Sequence, residues 1–197
     1  SQDASDDVAH ELRQRFIKNA RNIQGQALEQ AASSFRLLEK TPKNALRVNF
    51  LNRVFKDALF IYLVRDPREN ISSIMQAWRS QKFVTYPALP DFNGGWSLLL
   101  PDGWRSQKGK SLASIATYQY TCANSSIIKS LEAIDSERKI IINYSDLVRD
   151  PKTVIGDLLE FTKLNKEALG PILKNGLSYS RYTLTKPEPN KWHQNAV

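Results

Sequence analysis

The sequence predicts an α/β protein with a parallel sheet. Segments with helical periodicity alternate with two short apolar strands, at residues 58–64 and 139–143. The first strand is apolar at nearly every position, which is typical of a strand buried on both faces of a parallel sheet. With 197 residues and 41% hydrophobic content, the chain suffices for one globular core and is short of two typical domains. We therefore expect residues 1–197 to form a single domain.

The remaining elements follow from the spacing of apolar residues and from the helix breakers. A short strand is predicted over Phe35–Glu39. One or two helices are predicted over residues 7–32, with a break near Gly25. The next helix follows Pro42 with Asn44 as its cap, and another is opened by Pro67. Further helices are predicted over residues 111–134, 152–164 and 166–175. Asp66 and Asp150 each precede a proline, a pairing that caps a helix and fills its first position.

Residues 81–108 contain prolines, glycines and aromatic residues at a density too high for a plain connection. Two interpretations remain open for this segment. It forms either a lid or acceptor-binding loop, or an ordered surface excursion held in place by Trp96 and Trp104.

Composition restricts the function classes. The formal charge is +8, but the basic residues are scattered, which disfavours a stripe that binds duplex nucleic acid; a small, multiply charged anion would suffice as the partner. No apolar run approaches the roughly eighteen residues of a membrane span, and the start is acidic, so we expect a soluble, cytoplasmic protein. Cys122 is the single cysteine, which excludes an internal disulfide and suggests a small buried hydrophobic residue.

The first strand runs directly into Arg65-Asp66-Pro67-Arg68. Ligands bind at the carboxyl ends of parallel strands, and a helix that starts there offers free backbone N–H groups to an anion. Ser73 lies eight positions after Arg65, in the helix that Pro67 opens. A guanidinium and a hydroxyl can therefore bind one phosphate or sulfate at this end of the helix. Alternatively, Arg65 has a structural role and pairs with Asp66 or Asp150.

At this point the residues resemble a family. An apolar strand, Arg65, seven intervening residues and Ser73 resemble the 3′-phosphate site of sulfotransferases that use 3′-phosphoadenosine 5′-phosphosulfate (PAPS). The segment Glu39-Lys40-Thr41-Pro42 is similar to the lysine-bearing segment that these enzymes place beside the sulfuryl group. Three further stretches agree with that family: Arg138–Pro151 with its strand ending in Tyr144, the tail Ser178–Trp192, and Trp96–Trp104.

The resemblance implies a P-loop-NTPase-like, three-layer sandwich with PAPS as sulfuryl donor, and no metal. Lys40 is then the catalytic cation for the leaving phosphate, since an ammonium stabilises charge that develops in the transition state. Arg65 and Ser73 hold the 3′-phosphate, and Tyr144 contacts the adenine region. Ser180, Thr183, Lys186 and Lys191 close the tail over the phosphates. The acceptor is a small molecule, a carbohydrate or a peptide, with a hydroxyl or an amine; the general base is not assigned.

The loop that holds the 5′-phosphosulfate in this family has no counterpart near the start of the sequence. The chain thus resembles the C-terminal two-thirds of a sulfotransferase, incomplete at the N-terminus. It is a fragment, or the missing part comes from elsewhere, or the chain is a non-catalytic nucleotide-binding or interaction module. A P-loop kinase is disfavoured, because no Gly-rich loop ending in Gly-Lys-Ser/Thr is present. A nucleic-acid binder is the third alternative, and it predicts salt-dependent affinity.

Overall fold

The computed structural model describes residues 5–22, 24–27, 36–92, 94–165, 170, 184 and 192–193. Six α-helices and four strands occur in these ranges. The helices are α1 (Asp6–Asn19), α2 (Val48–Val54), α3 (Pro67–Ser80), α4 (Leu112–Glu132), α5 (Tyr144–Arg149) and α6 (Pro151–Thr162). The strands are β1 (Phe60–Val64), β2 (Val84–Tyr86), β3 (Trp96–Ser97) and β4 (Lys139–Asn143). Of the helices in the described ranges, none combines the length and the apolar character of a membrane span.

Strands β1 and β4 pair in parallel, which confirms the α/β class with a parallel sheet. Their register ends with Val64 opposite Asn143, so the residues after both strands emerge side by side. Helix α4 packs against one face of the pair through contacts of Leu131 with its apolar side chains. That face includes Phe60 and Tyr62.

The expectation that the first strand is buried on both faces is wrong. Burial along β1 alternates, and Ile61 and Leu63 are 42% and 46% exposed. Successive side chains of a strand point to opposite faces, and within the described residues α4 covers the face of Phe60 and Tyr62. Strand β1 therefore has more apolar surface than the described residues bury.

The N-terminal predictions need three corrections. Helix α1 ends at Asn19, earlier than predicted, and the chain turns at Gly25 with a φ of 78°. Residues 36–39 form no strand, because they have no ladder partner among the described residues; Arg36 instead donates to the carbonyl of Thr162. Asn44 caps no helix: it lies within a 3₁₀ helix over Pro42–Leu46, and its side-chain amide donates to Glu39 at 3.1 Å.

Both Asp-Pro helix starts are confirmed. The Asp66 carboxylate accepts a hydrogen bond from the backbone N–H of Arg68 at 2.8 Å, and Asp150 accepts one from Thr153 at 3.2 Å. Pro67 and Pro151 occupy the first helical positions, where a missing N–H costs nothing. The predicted helices over 111–134 and 152–164 are also present, as α4 and α6. The helix predicted over 166–175 lies outside the described residues, apart from Gly170.

Residues 84–97 contain the antiparallel pair β2–β3, which packs its aromatic residues against α3 and α4. The Trp96 side chain is completely buried, and its ring lies edge-on to Trp78 at 5.2 Å between centroids. Trp104 lies 6.2 Å from Trp96. The two tryptophans therefore hold the described part of this segment against the helices. Cys122 is half-buried on α4, which corrects the expectation of a buried cysteine.

Candidate functional site

A cleft of about 520 Å³ lies beside α3 and α4, near the carboxyl ends of β1 and β4. Four of the residues predicted from the sequence line it: Lys40, Arg65, Ser73 and Tyr144. The other four, Ser180, Thr183, Lys186 and Lys191, lie outside the described residues. Of the predicted tail, Leu184 and Trp192 are described, and both line the cleft.

Arg65 follows β1 directly, and its side chain is held on two sides. Its Nε donates to the Glu69 carboxylate at 3.2 Å, and its guanidinium carbon lies 4.8 Å from the centroid of the Tyr144 ring. The terminal guanidinium nitrogens form no hydrogen bond with another described residue. Arg65 does not pair with Asp66 or Asp150, since Asp66 pairs with Arg68 at 2.8 Å. A forked donor thus remains available in the cleft.

Ser73 lies on α3, one turn beyond Glu69, whereas Arg65 lies two residues before the helix begins at Pro67. Residues four apart on a helix share a face, and both Glu69 and Ser73 line the cleft. The Ser73 side chain is half-buried, and its hydroxyl has no hydrogen-bond partner among the described residues. The hydroxyl is therefore available to a ligand.

Lys40 reaches the cleft from an extended segment rather than from the strand end that the sequence predicts. Its side chain is exposed and forms no ion pair with a described residue. The next cation along, Lys43, lies 4.8 Å from the ring centroid of Tyr86 on β2. This contact places the segment beside the β2–β3 hairpin, with Lys40 and Pro42 facing the cleft.

A second cation contact involves the described part of the tail. The Arg68 guanidinium lies 4.9 Å from the ring centroid of Trp192, and His193 stacks on the same ring at 3.8 Å. Cation–π contacts of this kind contribute about 0.5–1 kcal/mol at exposed sites. The contact joins residue 192 to the start of α3.

Sequence reasoning missed a polar network at the border of the cleft, which Tyr120 and Asn124 line. The Tyr62 hydroxyl donates to Asn124 at 2.5 Å, the Asn124 amide donates to the carbonyl of Tyr120 at 2.7 Å, and the Tyr120 hydroxyl reaches the carbonyl of Arg65 at 3.5 Å. Burial raises the pKa of Tyr62, and the neighbouring Tyr120 raises it further. No sequence signal identifies Tyr120 and Asn124, whereas Glu69 was detectable from its position four residues after Arg65.

A family model described as the sulfotransferase family matches residues 3–168. The chain belongs to the sulfotransferase family. This membership confirms the resemblance to the sulfotransferase family, and the parallel β1–β4 pair agrees with an α/β sulfotransferase fold.

One solved structure is also similar to this sulfotransferase chain, the sulfotransferase domain from the curacin biosynthetic pathway. The two chains are 25% identical and superpose with a TM-score of 0.48; the match covers 68% of this chain and 41% of that chain. This chain thus spans less than half the length of that structure. No curated protein matches.

Proposed function

We propose that this sulfotransferase chain moves a sulfuryl group from PAPS to a hydroxyl or amine acceptor. The supporting observation is that one cleft brings together the open guanidinium of Arg65, the unpartnered hydroxyl of Ser73 and the exposed ammonium of Lys40. In the reaction, the acceptor atom forms a bond to sulfur while the bond from sulfur to the bridging phosphate oxygen breaks. The electron pair stays on that oxygen, and the acceptor's proton passes to a base or to water.

The donor set suits a doubly charged 3′-phosphate. The terminal nitrogens of Arg65 bind two phosphate oxygens at once, and Ser73 adds a neutral donor from the next turns of α3. The Tyr144 ring and the Glu69 carboxylate hold the guanidinium in place before the nucleotide arrives. Less side-chain entropy is then lost on binding.

Lys40 acts at the sulfuryl end. When bound, PAPS supplies an activated sulfuryl group whose leaving group is a phosphate, so negative charge grows on the bridging oxygen during transfer. A mobile ammonium follows that oxygen and stabilises the charge as it develops. Removal of one such group from an enzyme typically costs about 10²- to 10³-fold in rate.

A non-catalytic nucleotide-binding module derived from a sulfotransferase is the alternative. Arg65 and Ser73 line the cleft and suffice to bind a 3′-phosphate, and such binding requires no transfer step.

Calorimetry with the full chain tests the nucleotide site. We expect 3′-phosphoadenosine 5′-phosphate (PAP) to bind, and adenosine 5′-phosphate, which lacks the 3′-phosphate, to bind much more weakly. Arg65→Ala should weaken PAP binding by about 10- to 100-fold, because it removes a charge-assisted contact, and should leave adenosine 5′-phosphate unaffected. Arg15→Ala on exposed α1 is the matched control, with unchanged affinity.

Turnover separates the enzyme from the module. Transfer of labelled sulfate from PAPS to an acceptor, lost in Lys40→Ala while PAP still binds, supports the enzyme. PAP binding without sulfuryl transfer to any acceptor tested supports the module. Equal affinity for PAP and adenosine 5′-phosphate contradicts both.

A further inference from the structure

The cleft has two chemically different ends, which are joined along α3. Glu69, Ser73 and Ala77 are spaced by four residues and line the cleft on one helix face. At a rise of 1.5 Å per residue, the path from Glu69 to Ala77 is about 12 Å long. Glu69 lies at the charged end beside Arg65.

The other end is apolar. Ala77 is buried there, and Leu99 of the segment after β3 is buried as well. The apolar side chains that line the cleft on α3 and on the hairpin are Ile74, Ala77, Phe83, Leu98 and Leu99. Gln76 and Gln119 also line the cleft, but the Gln119 amide is already bonded to protein groups, so aliphatic and aromatic carbon forms much of the surface at the end away from Arg65.

We call Ile74, Ala77, Phe83, Leu98 and Leu99 the apolar wall of the cleft. Hydrogen bonds within the protein hold this wall in place. The buried Gln119 amide on α4 donates to the carbonyl of Ser97 at 2.9 Å and also to that of Leu99. Its oxygen accepts from the Trp78 indole on α3 at 2.9 Å. One side chain thus ties the segment after β3 to both helices that border the cleft.

Leu98 shows that the wall is held in a particular shape. Its φ is 63°, in the left-handed region that disfavours a leucine side chain, and its N–H donates to the carbonyl of Phe83 at 3.1 Å. Such strain persists only where the surrounding structure enforces it, and it occurs often at ligand sites. Here the strained backbone accompanies a leucine that lines the cleft.

The order of groups along the cleft assigns the two ends to two partners. The phosphate-binding donor Arg65 and the aromatic ring of Tyr144 occupy one end, which suits the nucleotide. The Lys43–Tyr86 contact places the segment of Lys40 beside the hairpin. The apolar wall therefore lies on the same side of the cleft as Lys40, the cation proposed for the sulfuryl end.

Building on the proposed function, we infer that the acceptor carries an apolar body next to its reacting hydroxyl or amine, and that this body packs against Ala77, Leu98 and Leu99. A sugar at the same wall leaves several hydroxyls without hydrogen-bond partners, which costs free energy for each one. An alkyl or aryl alcohol leaves no such group unpaired and gains from every buried methylene.

Binding of simple alcohols to the full chain in the presence of PAP tests this inference. By calorimetry we expect 1-octanol to bind about tenfold more tightly than 1-hexanol, from the two extra methylenes, and methyl glucoside to bind least. Leu98→Asn should weaken octanol binding by about tenfold, since asparagine tolerates the positive φ but removes the apolar contact. Ile128→Gln, which changes an exposed residue of α4 outside the cleft, is the control and should bind octanol as the wild type does.

The outcomes separate the inference from the proposed function. Equal octanol affinity in Leu98→Asn and wild type, preferential binding of methyl glucoside, or competition between octanol and PAP overturns the apolar acceptor site. Competition in particular would assign the wall to the adenine ring. The proposed function fails on a different result, namely PAP binding that does not depend on the 3′-phosphate. In that case, the affinity for octanol without nucleotide still measures whether the apolar wall binds an alkyl chain.

Discussion

The guanidinium of Arg65 lies over the ring of Tyr144, with its central carbon 4.8 Å from the ring centroid. Each residue directly follows a strand, Arg65 after β1 and Tyr144 after β4. The two strands are parallel neighbours whose last paired residues are Val64 and Asn143. The register of the sheet therefore brings together two side chains that are 79 positions apart in sequence.

This contact predicts a role for the ring of Tyr144 beyond any hydrogen bond of its hydroxyl. Tyr144→Leu should weaken PAP binding about three- to tenfold, because the guanidinium loses a cation–π contact worth about 0.5–2 kcal/mol. Tyr144→Phe keeps the ring and should stay within about twofold of wild type. A loss of equal size in both variants, measured by calorimetry, would assign the effect to the hydroxyl instead.

Glu69 is predicted to position Arg65 rather than to contact the nucleotide. Glu69→Ala should weaken PAP binding about threefold or more, because the guanidinium loses the acceptor of its Nε–H. Glu69→Gln retains an oxygen acceptor and removes a negative charge near the phosphate, so its affinity should equal or exceed that of wild type. Titrations at low and moderate salt check both variants. Weaker binding by Glu69→Gln than by Glu69→Ala would contradict the positioning role.

Asp66 should stabilise the fold in a pH-dependent way. A hydrogen bond from Arg68 lowers the pKa of this carboxyl from 3.8 to about 2, so the charged form stabilises the folded state above about pH 4. This contribution is lost as the pH falls from about 4 towards 2. At pH 7, Asp66→Ala should reduce the free energy of unfolding by about 1 kcal/mol, the usual worth of a helix cap.

Urea denaturation between pH 7 and pH 3 measures this effect. The difference between wild type and Asp66→Ala should shrink at the acidic end of the range. Asp66→Asn keeps a capping oxygen without the charge, so the variant itself should lack this titration. A wild-type-to-alanine difference that grows on acidification would refute the assignment.

Gln119 is expected to be essential for the packing of the hairpin. Gln119→Met preserves the volume but leaves the Trp78 indole N–H and the Ser97 carbonyl without this partner in a buried site. The free energy of unfolding should fall by about 2–3 kcal/mol, because each unsatisfied buried group costs roughly 1–3 kcal/mol. Gln14→Met, an exposed position on α1, should change stability by less than about 0.5 kcal/mol. Comparable urea midpoints for the two variants would exclude the network as a source of stability.

Local rules in the sequence predicted the two Asp-Pro helix starts and the ends of β1 and β4, but not the start of α2, since Asn44 is not its cap. Asp66 and Asp150 each precede a proline, and capping depends on a few adjacent residues, so both helices begin where expected. The extended segment over residues 36–39 was misassigned, since a strand requires a partner that local sequence does not specify. The exposure of Ile61 and Leu63 was missed for the same reason: burial depends on which elements cover a face.

By itself, the sequence determined the alternation of helices and strands, the two capped helix starts, and the spacing of Arg65 and Ser73 that resembles a phosphate site. These features depend on neighbours a few residues away. Only the tertiary structure decided that Tyr144 braces Arg65, that Lys40 reaches the same cleft, and that Gln119 and Leu98 build its apolar wall. Those relationships join residues far apart in the chain, and they arise from strand register and helix packing, which no local pattern encodes.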